Sequence, residues 1–299
     1  MQLEPIQSIQ KLDETVQFMT NQIAPSSKRI YESHLRYFNK WLVERGLNFF
    51  TVQDTDLAVY RSHLLETHAK KSASGMLTVV KLLYTSAFDR ELLSRNPAKR
   101  IKGIKADTEH TPYRTLTISE AKTILDSINT SKLIGMRDYM VLAILIRTGM
   151  RRESLASLTT TSISTQSGQT VLTYLAKGNR QSQTVLPKDV VKKLNEYMKR
   201  ANISKDKEHA LFFSFTRNKG DNLSGNQIAL IVKKHSGAAD LLVTPHCLRA
   251  TFITGALASG ASLHKVQIAV NHKDSRTTWH YATDLESITD HAGLYFPEI

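Results

Sequence analysis

The sequence predicts a mainly α-helical protein with one small antiparallel β-sheet, an α+β chain in two domains. Three observations predict it. A length of 299 residues exceeds the usual span of one domain. Apolar residues recur at helical spacing along most of the chain, and only Gln169 to Leu186 alternates as strands do. A polar stretch holding Pro112 separates a helical first part from the rest. The expected division is a helical domain over 1–105, a linker over 106–113 and a second domain over 114–299.

In the first domain, Ser26 or Ser27 is placed to cap a helix whose Ile30, Leu35, Phe38, Trp41 and Leu42 fall near one face, with Gly46 as the stop. A second helix is expected from near Thr55, with Leu57, Tyr60, Leu64 and Leu65 apolar, and a third over Ser74 to Phe88. Asn96-Pro97 breaks the pattern. The second domain opens with Thr117-Ile-Ser-Glu120, a capping box, and an apolar helix follows over about Ile134 to Ile146. Thr170, Leu172 and Tyr174, then Thr184 and Leu186, predict two strands around a turn at Lys177-Gly178-Asn179-Arg180. Helices are expected again over 187–200, 225–235, 246–259 and 262–270.

Lys and Arg number 40 against 27 Asp and Glu, a net charge of +13. The surplus points to a polyanionic partner. It is spread, with 16 against 10 in residues 1–105 and 24 against 17 in the remainder, which suits a grip on nucleic acid from two sides. Cys247 is the only cysteine, so neither an internal disulfide nor a cysteine metal site is possible, in keeping with a reducing cytoplasm. The first ten residues do not read as a secretory signal, and the longest purely apolar run, Val141 to Ile146, is too short to cross a membrane. No membrane role is expected.

Four segments carry chemistry. Thr148-Gly149-Met150-Arg151 presents an arginine just past a helix end, where glycine allows the turn. Pro245-His246-Cys247-Leu248-Arg249 puts His246 and Arg249 three apart on one helix face, two donors suited to phosphate. Lys177 sits at the tip of the expected hairpin. His272 precedes Tyr281 by nine residues. Each alone reads as readily as a surface charge, a cap or a packing residue.

Together and in this order the segments resemble the tyrosine recombinase, or lambda-integrase-type, family over about residues 20–290. Its Thr-Gly-Leu-Arg box is matched by Thr148 to Arg151, and its Gly-Lys-Gly-Asn-Lys hairpin by Ala176 to Arg180. Its His-x-Leu-Arg box is matched by His246 to Arg249, and its Leu-Gly-His box by Val270-Asn271-His272 with Tyr281 following. The chain departs from the pattern at three places. Ser154 stands where an acidic residue is usual, Ala250 where histidine is frequent, and Val270-Asn271 where Leu-Gly is usual. These departures bear on rate and fine geometry, and they point away from the chromosome-dimer-resolving branch, whose motifs are more regular.

The resemblance implies a core-binding first domain, a catalytic second domain and a site-specific recombinase that cuts and rejoins DNA through a 3′-phosphotyrosine link. Tyr281 would be the nucleophile, and Arg151 and Arg249 would hold the phosphate oxygens with forks that stay charged. Lys177 would protonate the leaving 5′-oxygen, His246 would handle the tyrosine proton, and His272 would donate to a non-bridging oxygen. No cofactor is implied, and His246, His272 and His280 lack the carboxylates of a metal set. Expected partners are a double-stranded recombination site, further copies forming a tetramer on paired sites, and accessory DNA-bending proteins. The expected setting is the bacterial cytoplasm, on the nucleoid, in integration or resolution of a mobile element or plasmid. Two other readings stay open: a type IB topoisomerase-like relaxing enzyme, and a catalytically silent DNA-binding regulator.

Overall fold

The computed structural model describes residues 5–23, 25–105, 114–176, 180–204, 207–215, 220–279 and 281. The chain divides into two compact units, Met1–Glu109 and His110–Ile299. It is mainly helical with one small antiparallel sheet, as its periodicity predicts. The linker expected over 106–113 lies outside the described residues.

The first unit contains α1 (Pro5–Asn21), α2 (Pro25–Val43), α3 (Asp54–Thr67) and α4 (Lys70–Asp89). Helix α2 starts at Pro25, the residue best suited to a first turn, so Ser26 and Ser27 lie inside the helix rather than capping it. Helix α3 begins one residue before Thr55, and the Asp56 carboxylate accepts from the Gln53 N–H at 2.8 Å. Helix α1 was not among the expected elements, although Leu12, Val16 and Met19 recur at helical spacing and pack on the core. That core is aromatic: Phe38, Trp41, Phe49, Tyr60 and Tyr84 are buried, and Phe49 stacks on Tyr84 at 4.6 Å. The segment after the helices is tied to α4, with Ser74 Oγ donating to the Ile104 carbonyl at 2.8 Å and Lys81 Nζ to that of Ile101.

The second unit is built around α6 (Leu133–Thr148), buried along almost all of its length. Against it pack α5 (Ile118–Asp126), α8 (Lys188–Arg200), α9 (Gly225–Ala238) and α10 (Pro245–Ala258). The capping box expected at Thr117 and Glu120 forms: Thr117 Oγ1 accepts from the Glu120 N–H at 3.1 Å, and the Glu120 carboxylate accepts from the Thr117 N–H at 2.8 Å. Short α7 (Arg152–Ala156), α11 (Leu263–Val270) and α12 (Ser275–Trp279) are the other α-helices among the described residues.

The sheet has the order β1 (Ile163–Gln166), β2 (Gln169–Ala176), β3 (Arg180–Leu186), antiparallel throughout. Strands β2 and β3 are the expected pair, in register from Thr170 opposite Leu186 to Ala176 opposite Arg180. Strand β1 is additional. Its turn, Ser167-Gly168, has both φ angles positive (48° and 73°), the conformation of a tight two-residue hairpin. Among the described residues no helix is long and apolar enough to cross a membrane.

Candidate active site

Four separate segments of the second unit converge on one site. The first is the C-terminus of α6. Gly149 caps it with φ of 62°, and a Cβ there would stand 2.6 Å from the Phe252 ring, so both conformation and space require glycine. The chain then reaches Arg151, half-buried at the start of α7, whose Nη1 lies 3.5 Å from the Asn271 carbonyl. The neighbouring Arg152 is engaged elsewhere, its Nε donating to Glu153 at 2.7 Å.

The second segment is the first turn of α10. Thr244 caps it, accepting from the Cys247 N–H at 3.3 Å, and Pro245 opens the helix. His246 is exposed and Arg249, one turn on, is buried. Arg249 Nη1 donates to the Gly149 carbonyl at 2.6 Å and Nη2 to the Val270 carbonyl. Those acceptors are the C-terminal carbonyls of α6 and α11, where two helix dipoles place partial negative charge. Burial, then the like charge of Arg151, draws the Arg249 pKa down to about 10, with Tyr174 and Tyr281 opposing. The group stays cationic at neutral pH.

The third segment ends α11. Asn271 takes the left-handed conformation (φ 59°, ψ 49°) that closes the helix, a place glycine usually fills and asparagine tolerates. This accounts for the asparagine where the family pattern has glycine. His272 follows, and its Nδ1 lies 2.8 Å from Thr278 Oγ1. Burial first, then Arg249, Arg151 and His246, draws its pKa down to about 4, so the ring is neutral at working pH. A neutral ring donates through Nε2 only if Nδ1 accepts, which makes the Thr278 hydroxyl the donor in that tautomer.

The fourth segment carries Tyr281, just after α12. Its ring is buried in a small cluster with Ala250, Ile253, Val266 and Val270 and lies nearly parallel to His272, with centroids 6.5 Å apart. Among the expected site residues, Arg151, His246, Arg249, His272 and Tyr281 are thus drawn together. Lys177 lies outside the described residues, as do His280 and the tail after Tyr281. Ser154, where the family pattern is acidic, is buried and donates to the Leu175 carbonyl of β2 at 3.1 Å.

Two further residues join the site. Thr278, fully buried, faces His272 Nδ1 with its hydroxyl and is suited to hold the ring with Nε2 as the donor. Tyr174 on β2 is buried, which pushes its hydroxyl pKa up, while Arg249, Arg151 and a hydrogen bond from Asn271 pull it back. A tyrosine in an alternating strand reads as core from sequence alone, and only the long-range fold reveals its neighbours.

The sequence pattern described as "Phage integrase family" matches residues 114–287, more than half of the chain. The chain belongs to the phage integrase family. That membership makes it a tyrosine site-specific recombinase by class. A curated relative, tyrosine recombinase XerC of Pelobacter propionicus, is 28% identical over 264 residues, covering 87% of this chain and 85% of that protein. Among solved structures, XerH site-specific recombinase bound to palindromic difH substrate aligns with a TM-score of 0.70 at 17% identity, covering 86% of this chain and 76% of that one. A lambda integrase (75–356) dimer bound to a COC′ core site aligns at 0.69 and 15% identity, covering 96% and 97%. At these identities the structures speak for the fold.

The first unit offers a second surface of interest. Arg61, Lys70, Lys102 and Lys105 line a groove of about 650 Å³, with Arg61 Nε donating to the Lys102 carbonyl at 3.0 Å.

Proposed function

We propose that this recombinase breaks one DNA strand by attack of Tyr281 on a phosphodiester, forming a 3′-phosphotyrosine bond, and rejoins DNA by the reverse step. The observation that carries the reading is the buried Arg249 beside the Tyr281 ring, held by carbonyl oxygens and paired with Arg151. Two like charges side by side are costly in a bare protein and well suited to an anion arriving between them. In-line attack gathers charge on the non-bridging oxygens, so fixed positive charge favours the transition state over the ground state.

The proton steps follow. The Tyr281 hydroxyl loses its proton as its oxygen bonds to phosphorus, with His246 taking it, and the leaving 5′-oxygen gains one from Lys177. His272, neutral, donates through Nε2 to a non-bridging oxygen. The phosphotyrosine keeps the energy of the broken backbone bond, so rejoining needs no nucleotide. No metal or cofactor enters this scheme.

Residues 1–105 would then form the core-binding domain, residues 106–113 the linker, and residues 114–299 the catalytic domain. The basic groove of Arg61, Lys70, Lys102 and Lys105 would meet phosphates of a double-stranded recombination site. Four copies would assemble on paired sites, the tail after Tyr281 docking on a neighbour, with accessory DNA-bending proteins shaping the complex. The work would be integration or resolution of a mobile element or plasmid, on cytoplasmic, nucleoid-associated DNA.

The test is direct. On nicked candidate sites, the wild-type chain should form a covalent protein–DNA adduct, and Tyr281→Phe, which keeps the ring, should bind as well and form none. An adduct in Tyr281→Phe would put the nucleophile elsewhere.

A further inference from the structure

The turn that bears His272 is fastened to the sheet by a residue the general pattern does not supply. Asn271 projects its amide onto one rung of the β2–β3 ladder, where Tyr174 stands opposite Ser182. Its Nδ2 donates to Ser182 Oγ, and the side chain acts on the Tyr174 hydroxyl of the same rung, helping to hold its pKa down against burial. The backbone around it faces the other way. The carbonyls of Val270 and Asn271 meet Arg249 and Arg151, and Gln267 Nε2 closes on the His272 carbonyl at 3.2 Å.

Glycine would satisfy the left-handed backbone here at lower cost, so the conformation alone does not call for asparagine. What asparagine adds is the amide and its bond across to Ser182 on the sheet, beside the Tyr174 hydroxyl. Rung Tyr174–Ser182 lies two residues from Ala176–Arg180, the last described pair of the ladder. The same rung therefore borders both the arginine acceptors and the strand ends at Ala176 and Arg180.

We propose that Asn271, with Ser182 and Tyr174, forms a polar tie that docks the end of α11 on the sheet and so positions His272 and the two arginines relative to it. Asn271 is a positioning residue, acting through His272, Arg151 and Arg249. The kinetic part of this inference rests on the recombinase reading; the structural part does not.

The experiment uses the full chain and the variants Asn271→Gly, Ser182→Ala and Tyr174→Phe. Asn271→Gly keeps the turn and removes only the tie, so its melting temperature should stay within about 3 °C of wild type. Its affinity for a nicked site should change by less than about twofold, while adduct formation slows about tenfold or more, the scale of a misplaced catalytic group. Ser182→Ala and Tyr174→Phe should each show part of that loss, and neither should add to Asn271→Gly in the double variant. Without DNA, the His272 ring followed by NMR should titrate near 4 in wild type and move toward the ordinary histidine value in Asn271→Gly, since the released turn regains water.

An unchanged adduct rate together with an unchanged His272 titration in Asn271→Gly overturns the tie. So does a loss in Asn271→Gly that neither Ser182→Ala nor Tyr174→Phe shares, because the defect then belongs to the turn alone. If wild type forms no adduct on any site, the recombinase chemistry fails instead, and the DNA-free titration still decides whether the tie exists.

Discussion

Helix α6 meets a buried arginine at each end, and the two are handled in opposite ways. Arg137, near its start, is 6% exposed; Arg249, against its C-terminal cap, is 5% exposed. Arg137 has its counter-charge beside it. Its Nε and Nη2 donate to Asp138 at 3.0 and 2.7 Å, its Nη1 to the Phe213 carbonyl at 3.0 Å, and His235 completes the set 2.9 Å from the other Asp138 oxygen. Arg249 has only carbonyls, and among the described residues no carboxylate lies within ion-pair distance of it. Its nearest strong field is the like charge of Arg151. The first arrangement is closed and holds helices α6 and α9 together. The second is open: among the described residues no anion neutralises it. Equal burial therefore says nothing of role; the presence or absence of a neutralising partner does.

Breaking the closed pair should have the largest effect, and on stability. Arg137→Ala leaves Asp138 buried with one cationic partner lost, an outcome that costs about 3–5 kcal/mol. Calorimetry should record a melting point lower by roughly 6–20 °C for a unit of this size. The adduct rate per folded molecule should hardly move, because Arg137 and Gly149 are about 18 Å apart along the helix. Replacing both residues with apolar ones of similar volume should recover most of the loss.

Breaking the open site should instead affect chemistry. Arg249→Met keeps bulk and leaves two carbonyls unpaired, not a charge, so it should destabilise less than Arg137→Ala. Adduct formation should slow by about 10²–10³-fold, the usual effect of losing one donor to developing phosphate charge. If Arg249→Met melts lower than Arg137→Ala while retaining its rate, the two arginines have been assigned the wrong way round.

Much of this difference could not be read along the sequence. Helix α5 and its capping box, the β2–β3 pair and the start of α10 were legible because caps, alternation and Pro245 act over a few residues. The order of Arg151, His246, Arg249, His272 and Tyr281 was legible through the family pattern. The partners were not: Arg249 finds Gly149 across 100 residues, and Asp138 finds His235 across 97. Nothing local marks Arg137-Asp138 as closed and Arg249 as open. Strand β1 escaped for another reason, since Ile163 is its only strong apolar residue and its signal lies in the Ser167-Gly168 turn.

A smaller effect would sharpen the view of the open site. Thr278→Val removes the hydroxyl that faces His272 Nδ1 and keeps the shape. Losing that bond should cost about 1 kcal/mol, so adduct formation should slow about fivefold, and Thr278→Ser should restore it. No change in Thr278→Val would mean that the tautomer of His272 is set elsewhere.

The smallest effect separates the two sites by pH. His272 has its pKa lowered in the fold to about 4, so between the ordinary value of 6.5 and 4 the unfolded chain binds a proton that the folded chain does not. Stability must therefore fall as pH falls through that window. Asp138 is also lowered, from the ordinary 3.8; burial opposes the shift, and the bonds from His235 and Arg137 outweigh it. Its contribution is complete above 3.8 and is lost only as pH drops through its folded value. The His272 contribution thus lies above pH 4 and the Asp138 contribution below it. Urea unfolding at a series of pH values should show the two slopes, and His272→Gln should lessen the upper one, leaving the share of His34, also lowered by burial and by His68, and leaving the lower one intact. If the upper slope is undiminished in His272→Gln, His34 or another of the 11 histidines is its whole source, and the burial of His272 beside two arginines has been overstated.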